Sequence, residues 1–387
     1  MNIVVVGAGV IGVSIAVELA RRGASVTVVE KDWPGAGTSS TSYAWVNSHN
    51  KEPSSYFELN LAGLKAHCRL AASVPGCNWF ESRGHVEFAT DEAHRKDLLR
   101  RIGRLRERGY EVERIDVERA RTLIPDLLIP EECDTVAFFP GEAHCYPNLY
   151  LAYMLEQASN LGVTLRTGLA VERLEARNGG ALVGLSDGST IAADRIVSAV
   201  GRWTSELTAL AGVSLPMSEF ETPGDITVGY LAVTNPLPIS LPRVLTSPWL
   251  NVRPDGGGRL LLQALDLDAS ADPAEQPTAD SVVAKELLAR LQTVLKHTEG
   301  AEIERINVGR RAIPADGLSV LGAVPTAPWL YVAATHSGVT LAPFVGAGVA
   351  REIFGEEELL FQGFRPERLL GNTQFDRPSA PRKPGEQ

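Results

Sequence analysis

The first thirty residues constrain the fold of this chain more than any other stretch. They read as an apolar strand over residues 3–6, a glycine-rich turn, a helix, and a second strand over residues 26–29. Gly7, Gly9 and Gly12 have the spacing at which the first glycine makes the tight turn, the second lets the backbone approach a pyrophosphate, and the third lets the helix pack on the strand. The stretch predicts a dinucleotide-binding βαβ unit, although a glycine-rich turn alone occurs in many α/β proteins.

The start of the helix and the acid after the second strand indicate what this unit binds. Val10 and Ile11 begin the helix, so their amide groups are unpaired donors that suit a phosphate. Glu30 lies 18 residues after Gly12 (30 minus 12), close to the offset of about 20 residues at which an acid accepts a hydrogen bond from a ribose hydroxyl group. An acid there favours an unphosphorylated ribose over NADP, and the unit by itself leaves NAD and FAD open.

Length and charge limit the class of protein. The 387 residues are enough for two domains, and 44% hydrophobic with 22% charged residues is typical of a globular protein. The formal net charge is -10, and the sequence has no Lys/Arg cluster. Because phosphate backbones are bound by basic stripes, we expect no nucleic-acid partner.

Cysteine use and the first residues bear on the compartment. Cys68, Cys77, Cys133 and Cys145 form no C-x-x-C pair and no His/Cys spacing of a metal site, so we expect reduced thiols and no bound metal. The N-terminus enters a strand without a basic leader, and no stretch of about 18 uncharged residues could cross a bilayer. These features predict a cytoplasmic protein with no integral membrane segment.

A run of small and hydroxyl-bearing residues follows the βαβ unit. It spans residues 33–42 and includes Thr38, Ser39 and Ser40, where a plain NAD-binding fold would enter its next βα pair. Small residues let the backbone and the hydroxyl groups lie against a bulky ligand, and the alternative is a solvent-exposed loop. The run indicates contact with a bulky ligand.

Two later strand ends are candidate cofactor contacts. Residues 195–200 predict a buried strand leading to Gly201 and Trp203; we expect a second contact with the dinucleotide there, and an ordinary core strand is the alternative. A further strand, 329–334, runs into a turn and a helix. Free amide groups at that helix start suit the flavin N1–C2=O edge, which becomes anionic on reduction. The residues concerned are His336, Ser337, Gly338, Val339 and Thr340.

Together these segments resemble the D-amino-acid oxidase-like FAD-dependent oxidoreductases, which include glycine and sarcosine oxidases and D-amino-acid dehydrogenases. The resemblance covers nearly the whole chain. It is carried by Gly7, Gly9 and Gly12 with Glu30, the run 37–40, Tyr146-Pro147 before a helix, Gly162-Val163, the stretch 197–203, Gly309-Arg310-Arg311 with Asp316-Gly317, and His336-Ser337-Gly338.

The resemblance implies an α/β protein with two domains. A discontinuous Rossmann-like FAD-binding domain would be assembled from three stretches, and an antiparallel-sheet α+β substrate domain from two. The FAD-binding stretches are 1–83, 148–214 and 309–372, and the substrate stretches are 84–147 and 215–308. We expect residues 373–387, rich in Pro and Arg, to be a disordered tail.

The resemblance also implies residue roles, with FAD bound non-covalently. Arg311, in the Gly-x-Arg position, would bind a substrate carboxylate, to which a guanidinium offers a planar two-point match; the alternative is that Arg310 or Arg311 pairs with a structural acid. His49 and Tyr230 are candidates for shaping the substrate pocket, with ordinary packing as the alternative. The FAD-binding residues would be Gly7, Gly9, Val10, Ile11, Gly12, Glu30, Lys31, Thr38, Ser39, Ser40, Val171, Gly201, Trp203, Arg311, His336, Ser337, Gly338, Val339 and Thr340.

The function that follows is oxidation of the C–N bond of a small amino acid or N-alkyl amino acid, with hydride transfer to flavin N5 and hydrolysis of the imine. The enzyme would be an amine or D-amino-acid oxidase or dehydrogenase. Two alternatives stay open: oxidation of a 2-hydroxy acid on the same scaffold, and a flavin subunit of a multi-chain dehydrogenase. The sequence has no second G-x-G-x-x-G for a nicotinamide, so we expect electrons to leave to oxygen or to a carrier such as a quinone.

Overall fold

The computed structural model describes residues 1–131, 133–371, 375–376 and 379–383. The α-helices in these ranges are α1 (Val10–Arg21), α2 (Ser54–Ser73), α3 (Glu92–Glu107), α4 (Val117–Leu123), α5 (Pro147–Asn160), α6 (Thr204–Ala209), α7 (Val282–Val294) and α8 (Gly338–Ile353).

The strands in the same ranges are β1 (Asn2–Val6), β2 (Ser25–Val29), β3 (Trp45–Val46), β4 (Phe80–Glu81), β5 (His85–Ala89), β6 (Glu113–Ile115), β7 (Thr135–Phe139), β8 (Ala143–Cys145), β9 (Thr164–Arg166), β10 (Val171–Arg177), β11 (Gly180–Leu185), β12 (Thr190–Ala193), β13 (Arg195–Ser198), β14 (Val228–Thr234), β15 (Val244–Thr246), β16 (Asn251–Pro254), β17 (Leu260–Gln263), β18 (Ile303–Arg310), β19 (Val320–Val324) and β20 (Ala327–Ala334).

The glycine-rich turn belongs to a six-stranded sheet with the order β19-β20-β13-β1-β2-β9. All pairings are parallel except that of β19 with β20. Residues 3–6 of β1 are all buried, because a parallel sheet is covered by helices on its faces and reads as a continuous apolar run. Helix α1 packs against α5 and α8. This arrangement confirms the predicted Rossmann-like unit.

The second large sheet has the order β18-β14-β17-β16-β15-β5-β7-β6. Its pairings are antiparallel, as predicted, except that β15 lies parallel to β5. These two strands belong to chain stretches separated by more than a hundred residues, far beyond the crossover of about a dozen residues that a parallel pairing needs. The two stretches therefore complete one sheet.

The two faces of this second sheet have different neighbours. Tyr230 on β14 lies in the apolar core that includes Leu287 and Leu291 of α7. Leu231, the next residue of β14, points to the opposite face and packs near Tyr43. Since side chains alternate along a strand, the face that carries Leu231 is the one directed at the Rossmann-like unit.

We propose that the two large sheets are the cores of the two predicted domains, whose limits stay a prediction. A small sheet, β3-β8-β4, joins segments from both sides of the predicted limit at residue 84. The predicted disorder of 373–387 falls largely on residues 373–374, 377–378 and 384–387, which lie outside the described ranges. Within those ranges, no helix has the length and the apolar character needed to cross a membrane.

Candidate active site

The glycine-rich turn requires glycine for steric reasons at two positions. Gly7 has φ +101°, and a Cβ there would lie 2.5 Å from the carbonyl oxygen of Ala199. A Cβ on Gly12 would lie 1.9 Å from the carbonyl oxygen of Gly7. Both distances are far shorter than any tolerated contact, so the turn, α1 and the end of β13 can approach each other only with glycines in these places.

Two side chains fix the backbone of the turn through hydrogen bonds. The carboxylate of Glu30 accepts hydrogen bonds from the amides of Ala8 at 2.8 Å and Asp32 at 3.0 Å. The hydroxyl of Ser39 accepts one from the amide of Val10 at 3.1 Å. Glu30 and the small-residue run are thereby placed at the same edge of the sheet, beyond the carboxyl ends of β1 and β2, where nucleotides bind to such folds.

A cleft of about 350 Å³ opens at this edge. Most of the predicted FAD-binding residues line it: Gly7, Gly9, Val10, Ile11, Glu30, Lys31, Thr38, Ser39, Val171, Gly201, Trp203, His336, Gly338 and Val339. Five others are not among the lining residues: Gly12 packs beneath the turn, Ser40 lines a neighbouring smaller cavity, and Arg311, Ser337 and Thr340 directly adjoin lining residues in the chain. Residues distant in the chain therefore meet along one groove.

One end of the cleft is built around the indole of Trp203. The ammonium of Lys31 lies 3.5 Å from the centre of the ring and the guanidinium of Arg202 lies 3.8 Å from it. Burial, together with the charge of Arg310, lowers the pKa of Arg202 to about 10. Sequence reasoning missed Arg202, although its position beside Trp203 was an available signal. It also missed Glu206 and Leu207 of α6, and Leu210 directly after that helix, which carry no motif.

The other end of the cleft is the start of α8. Its cap residue Ser337 makes no side-chain bond to the helix; instead its hydroxyl lies 2.8 Å from that of Tyr56 on α2. The first amides of α8 are thus open donors at a helix N-terminus, which stabilises negative charge. His336, just before them, lines the cleft, and burial with the charges of Lys51 and Arg311 lowers its pKa to about 3.

The guanidinium of Arg311 pairs with an acid. Pairing with a structural acid was the alternative to the predicted binding of a substrate carboxylate. Its guanidinium donates to the buried carboxylate of Asp268 at 2.9 Å and to the carbonyl oxygen of Ile226 at 2.9 Å. Burial raises the pKa of Asp268, and the charge of Arg311 opposes that shift. The side chain of Arg311 keeps 15% of its surface exposed. Arg310 points elsewhere, to the carbonyl oxygen of Pro273.

The structure does not bring Tyr230 to the cleft. The ring lies on the α7 face of its sheet, and its hydroxyl donates to the carbonyl oxygen of Ser270 at 2.9 Å. The alternation of β14 is the reason, because it turns Gly229 and Leu231 toward the Rossmann-like unit and Tyr230 away from it. Its predicted contact with substrate has no support in this position.

His49 is also away from the cleft, in a buried cluster around Glu142. Its Nδ1 lies 2.7 Å from one carboxylate oxygen of Glu142, and its Nε2 lies 3.1 Å from the guanidinium of Arg101. Burial lowers the pKa of His49 despite the neighbouring carboxylate. With a proton donor on one side and an acceptor on the other, the neutral ring is fully engaged. His49 is therefore a buried structural residue, and the structure does not place it at the cleft.

Glu142 is the centre of that cluster. Its carboxylate accepts hydrogen bonds from the indole of Trp45 at 2.8 Å and the hydroxyl of Tyr110 at 2.9 Å, besides that of His49, and the Nδ1 of His85 lies 3.2 Å away. Burial would raise its pKa, but the two histidines outweigh burial and lower the pKa to about 2. His49, His85 and Glu142 have metal-ligating atoms within 4.8 Å of one another, yet these donors already engage the carboxylate.

The cleft has the features that a flavin dinucleotide requires. The N-termini of α1 and α8 both lie at the cleft. Helix α1 begins at the glycine-rich turn, and α8 begins at the end of the cleft opposite Trp203. A pyrophosphate needs only the first, whereas a flavin ring that becomes anionic on reduction makes use of the second. Fold and cleft together are those of a flavin-binding oxidoreductase.

Comparisons with known proteins agree with this class. The DAO family, described as FAD-dependent oxidoreductases, matches residues 2–352. A glycine oxidase of Geobacillus kaustophilus is 27% identical over 358 residues, 90% of this chain and 92% of that protein. A formaldehyde-forming 4-methylaminobutanoate oxidase of Paenarthrobacter nicotinovorans is 26% identical over 360 residues, 90% of this chain and 43% of that protein.

The fold likeness is equally broad. The crystal structure of glycine oxidase from Geobacillus kaustophilus has a TM-score of 0.83 and 26% identity, covering 96% of this chain and 99% of that one. The chain belongs to the DAO family of FAD-dependent oxidoreductases. It is an oxidoreductase with FAD as its cofactor, which confirms the resemblance drawn from the sequence.

Proposed function

We propose that this enzyme oxidises the C–N bond of a small amino acid or N-alkyl amino acid. The observation that carries the proposal is the α8 end of the cleft, where open amides, His336 and the cation of Arg311 lie close together. The relatives named glycine oxidase and 4-methylaminobutanoate oxidase support this substrate class. When bound, FAD accepts the hydride from the carbon that carries the nitrogen, and water then hydrolyses the imine.

Arg311 binds the substrate carboxylate in this proposal. Its bonds to Ile226 and Asp268 use two guanidinium N–H groups, and the others make no hydrogen bond to a described residue. Asp268 and the Ile226 carbonyl fix the guanidinium plane, so the remaining donors are preorganised for a planar partner. A carboxylate held there would position the reacting carbon, and positioning alone contributes several kcal/mol to catalysis.

His336 forms a neutral wall of the site and does not carry a proton. Its pKa of about 3 keeps the ring uncharged near pH 7. We propose non-covalent FAD, as the resemblance implies. Among the described residues that line the cleft none is a cysteine, and one, His336, is a histidine. Oxygen or a quinone-type carrier stays the predicted electron acceptor. The lack of a nucleic-acid partner and the cytoplasmic location also stay predictions. The free thiols of Cys68, Cys77 and Cys145 support a cytoplasmic location.

An anaerobic spectral titration tests the reaction class. The purified yellow holoenzyme is mixed with glycine, N-methylglycine, D- and L-alanine, and with glycolate and lactate as 2-hydroxy acids. Bleaching of the flavin by an amine supports the proposal, and rapid recolouring on admission of air identifies an oxidase. Bleaching by glycolate or lactate alone would replace the proposal with 2-hydroxy-acid oxidation. Turnover by the purified single chain would exclude a requirement for partner subunits.

A matched pair of arginine variants tests the role of Arg311. We expect Arg311→Met to lower kcat/KM by about 100-fold, the effect of losing a bidentate charged contact, and Arg311→Lys to restore part of it. Arg310→Met removes an exposed neighbour whose guanidinium donates to the Pro273 carbonyl, and this variant should stay near wild type. Equal losses in the Arg310 and Arg311 variants, with FAD content unchanged, would contradict the assignment.

A further inference from the structure

Lys51 is a buried cation that the proposed mechanism does not use. It is 7% exposed, although lysine is seldom buried without a partner. Its ammonium group makes no hydrogen bond and no ion pair with any residue in the described ranges; only its backbone amide is engaged, by the carbonyl oxygen of Ser48 at 3.2 Å. Its Nζ is not among the described side-chain atoms that are fully enclosed without a partner, so the little exposed surface of Lys51 includes the ammonium group. A largely buried cation in this condition is costly unless something else supplies a counter-charge.

The segment that carries Lys51 is tied at both ends to the start of α8. Before it, the carbonyl oxygen of Trp45 accepts a hydrogen bond from the hydroxyl of Thr340 at 3.4 Å. After it, the hydroxyl of Tyr56 lies 2.8 Å from that of Ser337. These two bonds hold the segment that carries Lys51 against the start of α8, next to His336 in the chain. The effect of the charge of Lys51 on the pKa of His336 agrees with this placement.

The charges around Lys51 leave it without a contacting counter-ion. Arg311, the other cation that acts on His336, is paired with Asp268. Glu142 is the acid whose charge acts on Lys51, but its carboxylate already faces the donors of Trp45, His49, Tyr110 and His85. Burial lowers the pKa of Lys51 to about 8 against the pull of Glu142, so the group is still largely a cation at pH 7.

We propose that Lys51 binds a second anionic group of the substrate, so that the enzyme selects small amino acids with an additional acid on the nitrogen substituent or on the side chain. Arg311, whose guanidinium is fixed by Asp268, would hold one carboxylate and Lys51 the other, which gives Lys51 the anionic partner that it lacks. The inference rests on the proposed function, since it assigns the substrate class of that same site. It needs no step beyond binding.

Equilibrium binding of unreactive acids tests the proposal separately from catalysis. Diglycolate and its monoacid counterpart methoxyacetate, and glutarate with butyrate, are titrated at pH 7 into the oxidised holoenzyme, and the flavin absorption spectrum reports binding. We expect the diacid of at least one pair to bind about tenfold or more tighter than its monoacid, the equivalent of one charge-assisted contact. Lys51→Met should remove that preference, whereas Lys51→Arg should retain most of it.

Lys65→Met, at an exposed lysine of α2, is the matched control and should leave the preference unchanged. The proposal is overturned if neither diacid is preferred by the wild type, or if the preference survives in Lys51→Met with normal FAD content. Because binding is read without turnover, a diacid preference that depends on Lys51 would stand even if no amine bleaches the flavin, and that result would refute only the proposed reaction.

Discussion

Lowering the pH from 8 to 5 should destabilise this enzyme strongly, because it buries histidines in their neutral form. His67 lies 2.7 Å from the carbonyl oxygen of Val339 and stacks on Phe80 with ring centres 5.2 Å apart; burial lowers its pKa to about 4. Burial, with the charges of Arg253 and Arg83, lowers the pKa of His144 to about 3. His336 has a pKa of about 3 for the reasons given above.

The sign and size follow from proton uptake by the unfolded chain. An unfolded histidine has a pKa of about 6.5, so at pH 5 it is protonated whereas its folded counterpart is not. The stabilisation is complete above pH 6.5 and is lost as the pH falls toward the folded pKa. Each histidine should lower the free energy of unfolding by about 2 kcal/mol between pH 8 and pH 5. His67 and His144, which are at most 1% exposed, give about 4 kcal/mol together, a sizeable share of the typical 5–15 kcal/mol. His336 is only half-buried at the cleft, so its contribution is smaller.

Two other groups act in the same direction. Burial lowers the pKa of His49, which adds to the loss. Burial would raise the pKa of Glu87, but Arg101 outweighs it and holds that pKa below its usual range. The carboxylate contribution is lost only below about pH 4.5, the ordinary pKa of such a group. The interval from pH 8 to 5 therefore reports mainly on the histidines.

Urea unfolding at both pH values, at equal ionic strength and with excess FAD, measures the effect. His67→Gln and His144→Gln should each show a drop in unfolding free energy about 2 kcal/mol smaller than the wild type between pH 8 and 5. The comparison of pH differences cancels any stability lost at both pH values through altered packing. Identical pH differences in wild type and both variants would refute the reasoning that these rings are buried neutral.

Two further perturbations follow from the geometry of the cofactor cleft. Gly63→Ala on α2 would place a Cβ 2.5 Å from the carbonyl oxygen of Thr340. Thermal unfolding and FAD release should therefore occur at a lower temperature, with a loss of about 1–3 kcal/mol in the free energy of unfolding. The control Gly103→Ala on α3, where a Cβ meets nothing within 4 Å, should not be destabilised. Glu30→Gln weakens the acceptor that holds the amide of Ala8 and should raise the Kd of FAD about tenfold in a flavin fluorescence titration, whereas an unchanged Kd would show that Glu30 only braces the turn.

Features written in short stretches of chain were predictable. The spacing of Gly7, Gly9 and Gly12 with Glu30 specifies a local turn whose glycines are required by contacts within one βαβ unit and the strand beside it. The segment from His336 to Thr340 was likewise readable, because a strand that runs into a helix places open amides at the junction. The family and its cofactor follow from these segments taken together.

The partners of individual side chains depended on tertiary structure. Whether Tyr230 faced the cleft was decided by which face of its sheet packs on the Rossmann-like unit, and a strand sequence with apolar residues on both faces does not encode that choice. Arg311 meets Asp268, 43 residues earlier, and His49 meets Glu142, 93 residues later. Lys51 stands in no motif, and only the docking of its segment against α8 makes it a buried cation without a contacting acid. Local spacing thus determined the cofactor cradle, while long-range packing decided which charges remain available to a substrate, because the pairing of a charge depends on what the fold brings within a few ångströms of it.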